Sequence, residues 1–260
     1  MLSFDPRKLP GDPFRVIGKL GCEAKRGPYS MAVDRHGMAW IVYDDGELFQ
    51  VSIGDASCER VAYDPGATEL QRFGMGFVSD KPGGTSETLF LSSGDGSHAL
   101  WTLDTSMHGD ASARGGASQR VRDAGAVVAR VLRPVRVGTL SAARERSPEL
   151  TGTSEAQLFG FYPVRGQPSF IQEIDRATGA GKGRRWQVDA TLVGEIQAWA
   201  FAQWAGVFYV FVTTRDARGE LDSTVRAIDR ATGRERVVRD HVPYRVTGAG
   251  VSTCAPGRER

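Results

Sequence analysis

The sequence is poor in the residues that most often build metal sites. Its 260 residues include three cysteines and four histidines. The cysteines show no CxxC or Cys/His spacing, and the histidines, His36, His98, His108 and His241, show neither HxH nor HExxH spacing. These absences argue against a zinc motif and against a disulfide-rich scaffold. We therefore expect neither a bound metal nor a cofactor.

Long hydrophobic runs and a strong charge bias are also lacking. No stretch approaches the roughly 18 consecutive apolar residues that indicate a membrane helix. The net charge is +2, with 33 basic and 31 acidic residues interspersed, which argues against a nucleic-acid surface. The first ten residues contain no apolar run typical of a secretory signal. We expect no membrane span, no nucleic-acid partner and a cytoplasmic location for the chain as given, or export if a leader precedes it.

Three cysteines leave one disulfide open to question. Cys22 and Cys254 lie near opposite ends of the chain, so a bridge between them would tie the termini together. Its loop would be long enough to contribute a few kcal/mol in the chain-entropy model. The alternative is three buried free thiols. One cysteine is left over in either case.

Glycine, in contrast, is abundant. The chain has 32 glycines, nearly double the usual share of about 7%, and they fall between short apolar runs. Glycine is favoured where tight turns need positive φ. Many turns between short apolar segments indicate many strands.

An internal repeat gives the strands an order. The hexapeptide Ile-Asp-Arg-Ala-Thr-Gly stands at residues 174–179 and again at residues 228–233. Each copy ends an apolar run and precedes a polar one, which is typical of a strand, a glycine-closed turn and a returning strand. Weaker relatives follow residues 48–52 and 100–104. The chain therefore contains four related units.

Each unit also has an upstream hairpin, clearest at residues 31–43, where a strand of small residues turns at Gly37 into an aromatic and β-branched one. Four strands in a repeat of roughly 40 to 50 residues are typical of a β-propeller blade. A fifth copy of the first-strand pattern appears at residues 247–252, and residues 14–20 resemble a lone strand. We predict one all-β propeller domain over residues 1–260. It would have four complete four-stranded blades and a composite fifth closed by both termini, with residues 105–130 as an exposed insertion.

Several segments resemble a known family. They are residues 29–34, Trp40, residues 48–49, 73–79, 149–153 and 199–202, and the glycine-rich stretch 248–256. Together they resemble a family of propeller-like proteins, often exported lipoproteins, from GC-rich soil bacteria. The resemblance implies the propeller fold, and it implies no activity because none is established for the family. The chain differs from exported members in lacking a leader and a lipid-attachment cysteine and in its arginine content.

The first strands of a propeller and their ends line its central channel, which is where a ligand would bind. The polar and aromatic residues at those positions are Ser30, Asp34, His36, Glu149, Trp199 and Ser252. We predict them as channel ligand-binding residues and assign no catalytic residue.

The favoured function is non-enzymatic: a binding or scaffold propeller for a small ligand, a glycan or a protein partner. The alternative is a propeller enzyme of lactonase-like or lyase-like type, because several such families resemble this chain in the Ala-Val-Asp-Arg-His-Gly stretch at residues 32–37. That reaction would need converging acids or a metal, and Glu149, Asp34 and His36 are the set the sequence offers. A purely structural interaction module is the third reading.

Overall fold

The fold is an all-β propeller. A computed structural model describes residues 1–66, 70–94, 96–106, 131–143, 147–164, 168–188 and 195–257. Its described strands form four four-stranded antiparallel sheets and one two-stranded sheet. The predicted four complete blades are confirmed.

The four blades follow one another along the chain. Blade 1 consists of β3 (Pro28–Val33), β4 (Met38–Tyr43), β5 (Leu48–Ser52) and β6 (Cys58–Val61). Blade 2 consists of β7 (Phe73–Ser79), β8 (Glu87–Ser93), β9 (Ala99–Leu103) and β10 (Val135–Thr139). Blade 3 consists of β11 (Glu149–Gly152), β12 (Leu158–Tyr162), β13 (Ser169–Ile174) and β14 (Gly181–Val188). Blade 4 consists of β15 (Glu195–Trp204), β16 (Val207–Arg215), β17 (Leu221–Asp229) and β18 (Glu235–Arg239).

Within each blade, burial decreases from the first strands to the fourth. Every residue of β12 is buried, and so are all of β4 and β16 apart from their ends. The fourth strands β6, β10, β14 and β18 are mostly exposed or half-buried. Strands buried on both faces read as continuous apolar runs. This explains why the second strand of each unit is the easiest to recognise in the sequence.

The first strands pack side by side around the axis, β3 beside β7, β7 beside β11 and β11 beside β15. Glycine permits this close approach. A Cβ at Gly74 would lie 2.5 Å from the carbonyl oxygen of Pro148, and one at Gly76 would lie 3.1 Å from the backbone of Thr151. Small residues are therefore required where the blades converge.

The repeated hexapeptide forms the turn between the third and fourth strands of blades 3 and 4. Asp175 Oδ1 accepts hydrogen bonds from the backbone N–H groups of Ala177 and Thr178, at 3.0 and 2.9 Å. Asp229 accepts in the same way from Thr232. The glycine that closes each copy has φ of +79°. The prediction that the hexapeptide is a turn is confirmed.

The space between blade 4 and blade 1 holds both ends of the chain. A two-stranded sheet of β1 (Leu2–Phe4) and β2 (Phe14–Val16) lies there, so the predicted N-terminal strand has a partner. Phe4 contacts Tyr209 and Phe211 of blade 4, whereas Met1 and Ile17 pack with the core of blade 1.

The C-terminal segment at residues 246–251 occupies the first-strand position of this fifth place. A Cβ at Gly248 would lie 2.7 Å from Met31 N, and one at Gly250 would lie 2.7 Å from Val33 N. The spacing of these two glycines against β3 matches that of Gly74 and Gly76 against β11. No described strand is formed here, however. Both termini thus contribute to an incomplete fifth blade.

Both alternatives for the cysteines, a Cys22–Cys254 disulfide and three buried free thiols, are wrong. Cys22 pairs with Cys58, with the two Cα atoms 5.1 Å apart, and Cys254 is an exposed free thiol. Residues 20–24 pack on the face of blade 1 that also carries Cys58. Cys254 lies at the end of β3, where its Sγ is 3.7 Å from Arg35 O. The fold brings both termini to the fifth blade position. Cys22 nevertheless lies against the core of blade 1, whereas Cys254 lies near the end of β3.

No helix among the described residues is long and apolar enough to cross a membrane. Residues 107–130 of the predicted insertion lie outside the described residues.

Candidate functional site

The first strands converge at one end of the channel around a cavity of about 370 Å³. We call it the channel mouth and define it by six of its lining residues: Tyr29, Arg72, Ser147, Glu149, Trp199 and Arg245. They come from the starts of all four blades and from the C-terminal segment. A ligand bound in this cavity would lie beside residues of all four blades and of the C-terminal segment.

Glu149, the first residue of β11, is the buried carboxyl of the mouth and is 4% exposed. Ser30 of β3 donates its hydroxyl hydrogen to Glu149 Oε1. The other carboxyl oxygen has no hydrogen-bond partner among the described residues. Burial raises the pKa of Glu149 well above its usual range, and the hydrogen bond from Ser30 opposes that rise only in part. The site therefore favours a neutral carboxyl group that can both donate and accept a hydrogen bond.

Two aromatic side chains and a buried hydroxyl accompany this carboxyl. Tyr29 and half-buried Trp199 both line the mouth. The Oγ of Ser147 is buried and has no hydrogen-bond partner among the described residues. Buried polar atoms are nearly always satisfied by protein or by water, so this hydroxyl marks a place for a polar group.

Sequence analysis missed two arginines and a glutamine at the mouth. Arg72 stands immediately before β7, Arg245 precedes the C-terminal segment, and Gln197 lies near the start of β15. Arg245 donates to the carbonyl oxygen of Gln197 at 3.1 Å. Alignment of the five units on their first strands is the signal that could have found them, because each lies just before its glycine- or alanine-rich stretch.

Asp34, a predicted binding residue, has a structural role. Its carboxylate accepts hydrogen bonds from His36 N, Met38 N and Trp40 Nε1, at 2.9, 2.9 and 3.0 Å. These bonds close the β3–β4 hairpin. Both oxygens of this carboxylate accept hydrogen bonds within the hairpin, so neither is left for a ligand.

His36 and Ser252 also lie away from the mouth. His36 is exposed in the hairpin turn, and Ser252 accepts a hydrogen bond from Cys254 N in a C-terminal turn. Asp34 lies four residues after Ser30 on the chain, or about 13 Å along an extended strand. We call this other end, where Asp34, Glu87 and Thr253 meet neighbouring segments, the closed end.

The six predicted residues therefore divide into two groups. Glu149 and Trp199 line the mouth and Ser30 bonds to Glu149, whereas Asp34 and His36 belong to the closed end; Ser252 lies beside Thr253 there and also lines a second cavity. The set Glu149, Asp34 and His36 of the enzyme reading is not brought together. No group of three or more His, Cys, Asp or Glu residues that could hold a metal ion occurs in the described ranges.

The mouth combines a buried carboxyl group whose raised pKa favours the neutral form, hydroxyl and guanidinium donors, and two aromatic rings. This composition suits a compact polar ligand with one flat apolar face, because rings bind the face while the polar groups bind its rim.

Comparison of the sequence with known proteins does not assign it to a family. No protein-family model matches the sequence, and no curated protein matches it at a significant level. The resemblance to the soil-bacterial family stays a prediction.

Among solved structures, the chain is similar to the Dos1 propeller, with 10% identity and a TM-score of 0.42 over 92% of this chain and 66% of that one. It is also similar to BamB from Moraxella catarrhalis, with 10% identity and a TM-score of 0.35 over 85% of this chain and 66% of that one. The chain thus spans 66% of the length of each. Similarity at this level concerns the fold alone.

Proposed function

We propose that the protein is a non-enzymatic binding propeller whose channel mouth takes a saccharide unit of a glycan. The observation that carries the proposal is the convergence of Glu149, Ser147 and Trp199 on one cavity. Each contributes a different part of what a sugar ring requires.

A sugar ring has hydroxyl groups around its edge and patches of C–H groups on its faces. Hydroxyls donate and accept, so they match a neutral carboxyl and a serine hydroxyl better than an isolated carboxylate, which accepts only. The C–H face matches an aromatic ring such as Trp199. Arg72 and Arg245 add donors at the rim of the cavity.

The cavity volume is consistent with a single unit. At about 370 Å³ it lies near the lower end of the roughly 300–1,000 Å³ of small-molecule sites. One ring of a longer chain would enter, and the remainder would extend into solvent.

The test is a thermal-shift screen of the purified protein against mono- and oligosaccharides, followed by calorimetric titration of each hit. Ligand that binds the folded state raises the melting temperature by mass action. We expect Trp199→Ala and Glu149→Ala to weaken binding at least tenfold. Trp204→Ala is the matched control, because Trp204 is a half-buried tryptophan on the same strand that packs toward the fifth place instead.

Two results would contradict the proposal. One is the absence of any saccharide that raises the melting temperature. The other is an equal loss of binding in the Trp199 and Trp204 variants, which would locate the ligand elsewhere or show a general loss of structure.

An enzyme remains the second candidate because of Glu149 alone. A buried carboxyl with a raised pKa is the usual form of a general acid. Recovery of the bound saccharide unchanged after prolonged incubation supports the binding reading. Its cleavage, abolished by Glu149→Gln, would establish the enzyme.

A further inference from the structure

A second cavity lies in the incomplete fifth blade. It is a cleft of about 1040 Å³, lined by β1 and β2, by residues 245–252, and by β3 and β15–β16 of the two flanking blades. It therefore lies in the gap between the C-terminal segment and the β1–β2 sheet. In each complete blade the first strand is hydrogen-bonded to a second strand, and here it is not.

The backbone along one side of this cleft has no partner. In the part of the chain that the structure describes, no hydrogen bond is made by the N–H or C=O groups of residues 246–251. These residues are half-buried or, at Ala249, buried. Buried backbone groups are paired in nearly all proteins. A backbone segment in a first-strand position, without hydrogen-bond partners among the described residues, is a template for an added strand.

Both walls of the cleft are apolar. Tyr209 and Phe211 of β16 line one side, where Phe4 of β1 already packs on both rings. Met31, Val33 and Ile41 of blade 1 line the other side. A strand placed in the space that remains would meet apolar side chains on both faces. Such strands are continuous apolar runs and not alternating ones.

The rim of the cleft is basic. Four basic side chains line it, Arg7, Lys8, Arg15 and Arg245, against one acidic side chain, Asp5, which forms an ion pair with Arg7. Lys8, Arg15 and Arg245 are exposed. This charge favours an occupant with acidic residues flanking its apolar core.

We infer that the cleft binds an extended peptide segment of a partner protein by β-strand addition, with an apolar core of about five residues and acidic flanks. Main-chain hydrogen bonds to residues 246–251 supply affinity, and the two apolar walls select the side chains. The inference concerns a different cavity from the channel mouth and does not depend on a saccharide binding there.

The chain itself supplies a template for the probe. Its own second strand β4 contains the run Ala-Trp-Ile-Val-Tyr at residues 39–43, followed by Asp44 and Asp45. The probe is therefore the peptide Asp-Asp-Ala-Trp-Ile-Val-Tyr-Asp-Asp with an N-terminal fluorophore, titrated with the 260-residue protein and followed by anisotropy. Two control peptides replace the central Ile by Pro or the four Asp by Lys. We expect each to bind at least tenfold more weakly, because the first loses a main-chain donor and the second is repelled by the rim.

Variants of the protein separate loss of binding from loss of structure. Ala202→Phe places a ring in the cleft from β15, where Ala202 is half-buried and lines it. We expect it to abolish peptide binding while keeping the melting temperature of the parent. Ala177→Phe, at an exposed turn, is the matched control.

The rim is tested in the same way. Arg15→Glu should weaken binding of the acidic peptide roughly tenfold, with an effect that shrinks at high salt. Arg218→Glu, in an exposed turn away from the cleft, should leave binding unchanged.

Hydrogen exchange gives the decisive structural readout. Peptide binding should slow the exchange of the amides of residues 246–251. Absence of binding, or protection confined to other residues, would overturn the inference. A concentration-dependent dimer that Ala202→Phe disrupts would also overturn it, because a second copy would then be the occupant.

Discussion

The two ends of the channel each hold a glutamate that joins different segments, Glu149 buried and Glu87 half-buried, and the two differ in how many carboxyl oxygens accept a hydrogen bond. At the closed end, Glu87 accepts from Arg35 N at 2.7 Å and from Thr253 Oγ1 at 2.5 Å, so both carboxyl oxygens are used. At the mouth, Glu149 accepts a single described hydrogen bond, from Ser30. Burial raises the pKa of both carboxyls.

The difference teaches which buried acid to consider for binding. A carboxyl group whose two oxygens both accept hydrogen bonds within the fold has little capacity left for a ligand. One that uses a single oxygen and lines a cavity retains that capacity. The two glutamates differ in burial as well as in donors, because Glu149 is buried and Glu87 is half-buried.

The largest loss of stability is expected when the hydrogen bonds of Asp34 at the closed end are removed. Asp34→Ala leaves the N–H groups of His36 and Met38 and the indole N–H of Trp40 without their acceptor. An unsatisfied buried donor costs about 1–3 kcal/mol, so we expect a total loss of about 3 kcal/mol and a melting temperature lower by roughly 6–12 °C. Urea unfolding followed by tryptophan fluorescence measures the loss.

Asp34→Asn is the control for that variant. It keeps an oxygen for the two backbone bonds and should lose less stability than the alanine. An alanine variant as stable as the parent would mean that these hydrogen bonds do not hold the hairpin.

A matched pair of hydroxyl deletions compares the two ends directly. Thr253→Val removes the hydroxyl that donates to Glu87, and Ser30→Ala removes the one that donates to Glu149. We expect the first to cost about 1.5–3 kcal/mol and the second about 0.5–1.5 kcal/mol, because burial raises the pKa of Glu149 well above its usual range and so favours the neutral form there more than in Glu87. Equal losses in chemical denaturation would contradict this difference.

The pH dependence of the stability of Glu149→Gln, compared with that of the parent, tests the raised pKa at the mouth. The pKa of Glu149 is higher in the folded protein than in the unfolded chain, so its contribution to stability is fully present below the unfolded pKa and is lost as the pH rises through the folded pKa. The glutamine variant should be more stable than the parent at pH 8, by about 1 kcal/mol or roughly 2–4 °C in melting temperature. Below about pH 4 the two should coincide. A variant less stable than the parent at pH 8 would contradict the raised pKa.

The smallest effects are expected from exposed residues at the closed end. His36→Ala and Cys254→Ser should each change the free energy of unfolding by less than about 0.5 kcal/mol. Thiol labelling of the unreduced folded protein should modify one cysteine, identified by mass spectrometry as Cys254. Labelling of Cys22 or Cys58 would contradict the disulfide between them.

Much of the fold was predictable because its determinants are local. The repeated turn at Asp175 and Asp229 carries its own hydrogen-bond acceptor, hydroxyl and glycine, so the same hexapeptide folds alike in two blades. Buried second strands such as β12 and β16 are apolar throughout. The glycine spacing at Gly248 and Gly250 likewise predicted a first-strand position without a strand being formed there.

The candidate site was predictable only in part. Glu149 and Trp199 were identified from their positions in first strands, and the same reasoning selected Asp34, whose oxygens are all used by its own hairpin. Arg245 was missed because its place at the mouth depends on the C-terminal segment lying beside β3. Position along a strand predicts where a side chain lies but not which donors surround it.

The sequence by itself determined the number of blades, the nature of their turns and the contribution of both ends to a fifth place, because turn chemistry and apolar periodicity act within a few residues. The tertiary structure alone decided that Cys22 pairs with Cys58, that Glu149 has one hydrogen-bonded carboxyl oxygen among the described residues where Glu87 has two, and that a cleft remains between the C-terminal segment and the β1–β2 sheet. Each of these depends on groups far apart in the chain, and pairing between such groups is set by how the blades close around the axis.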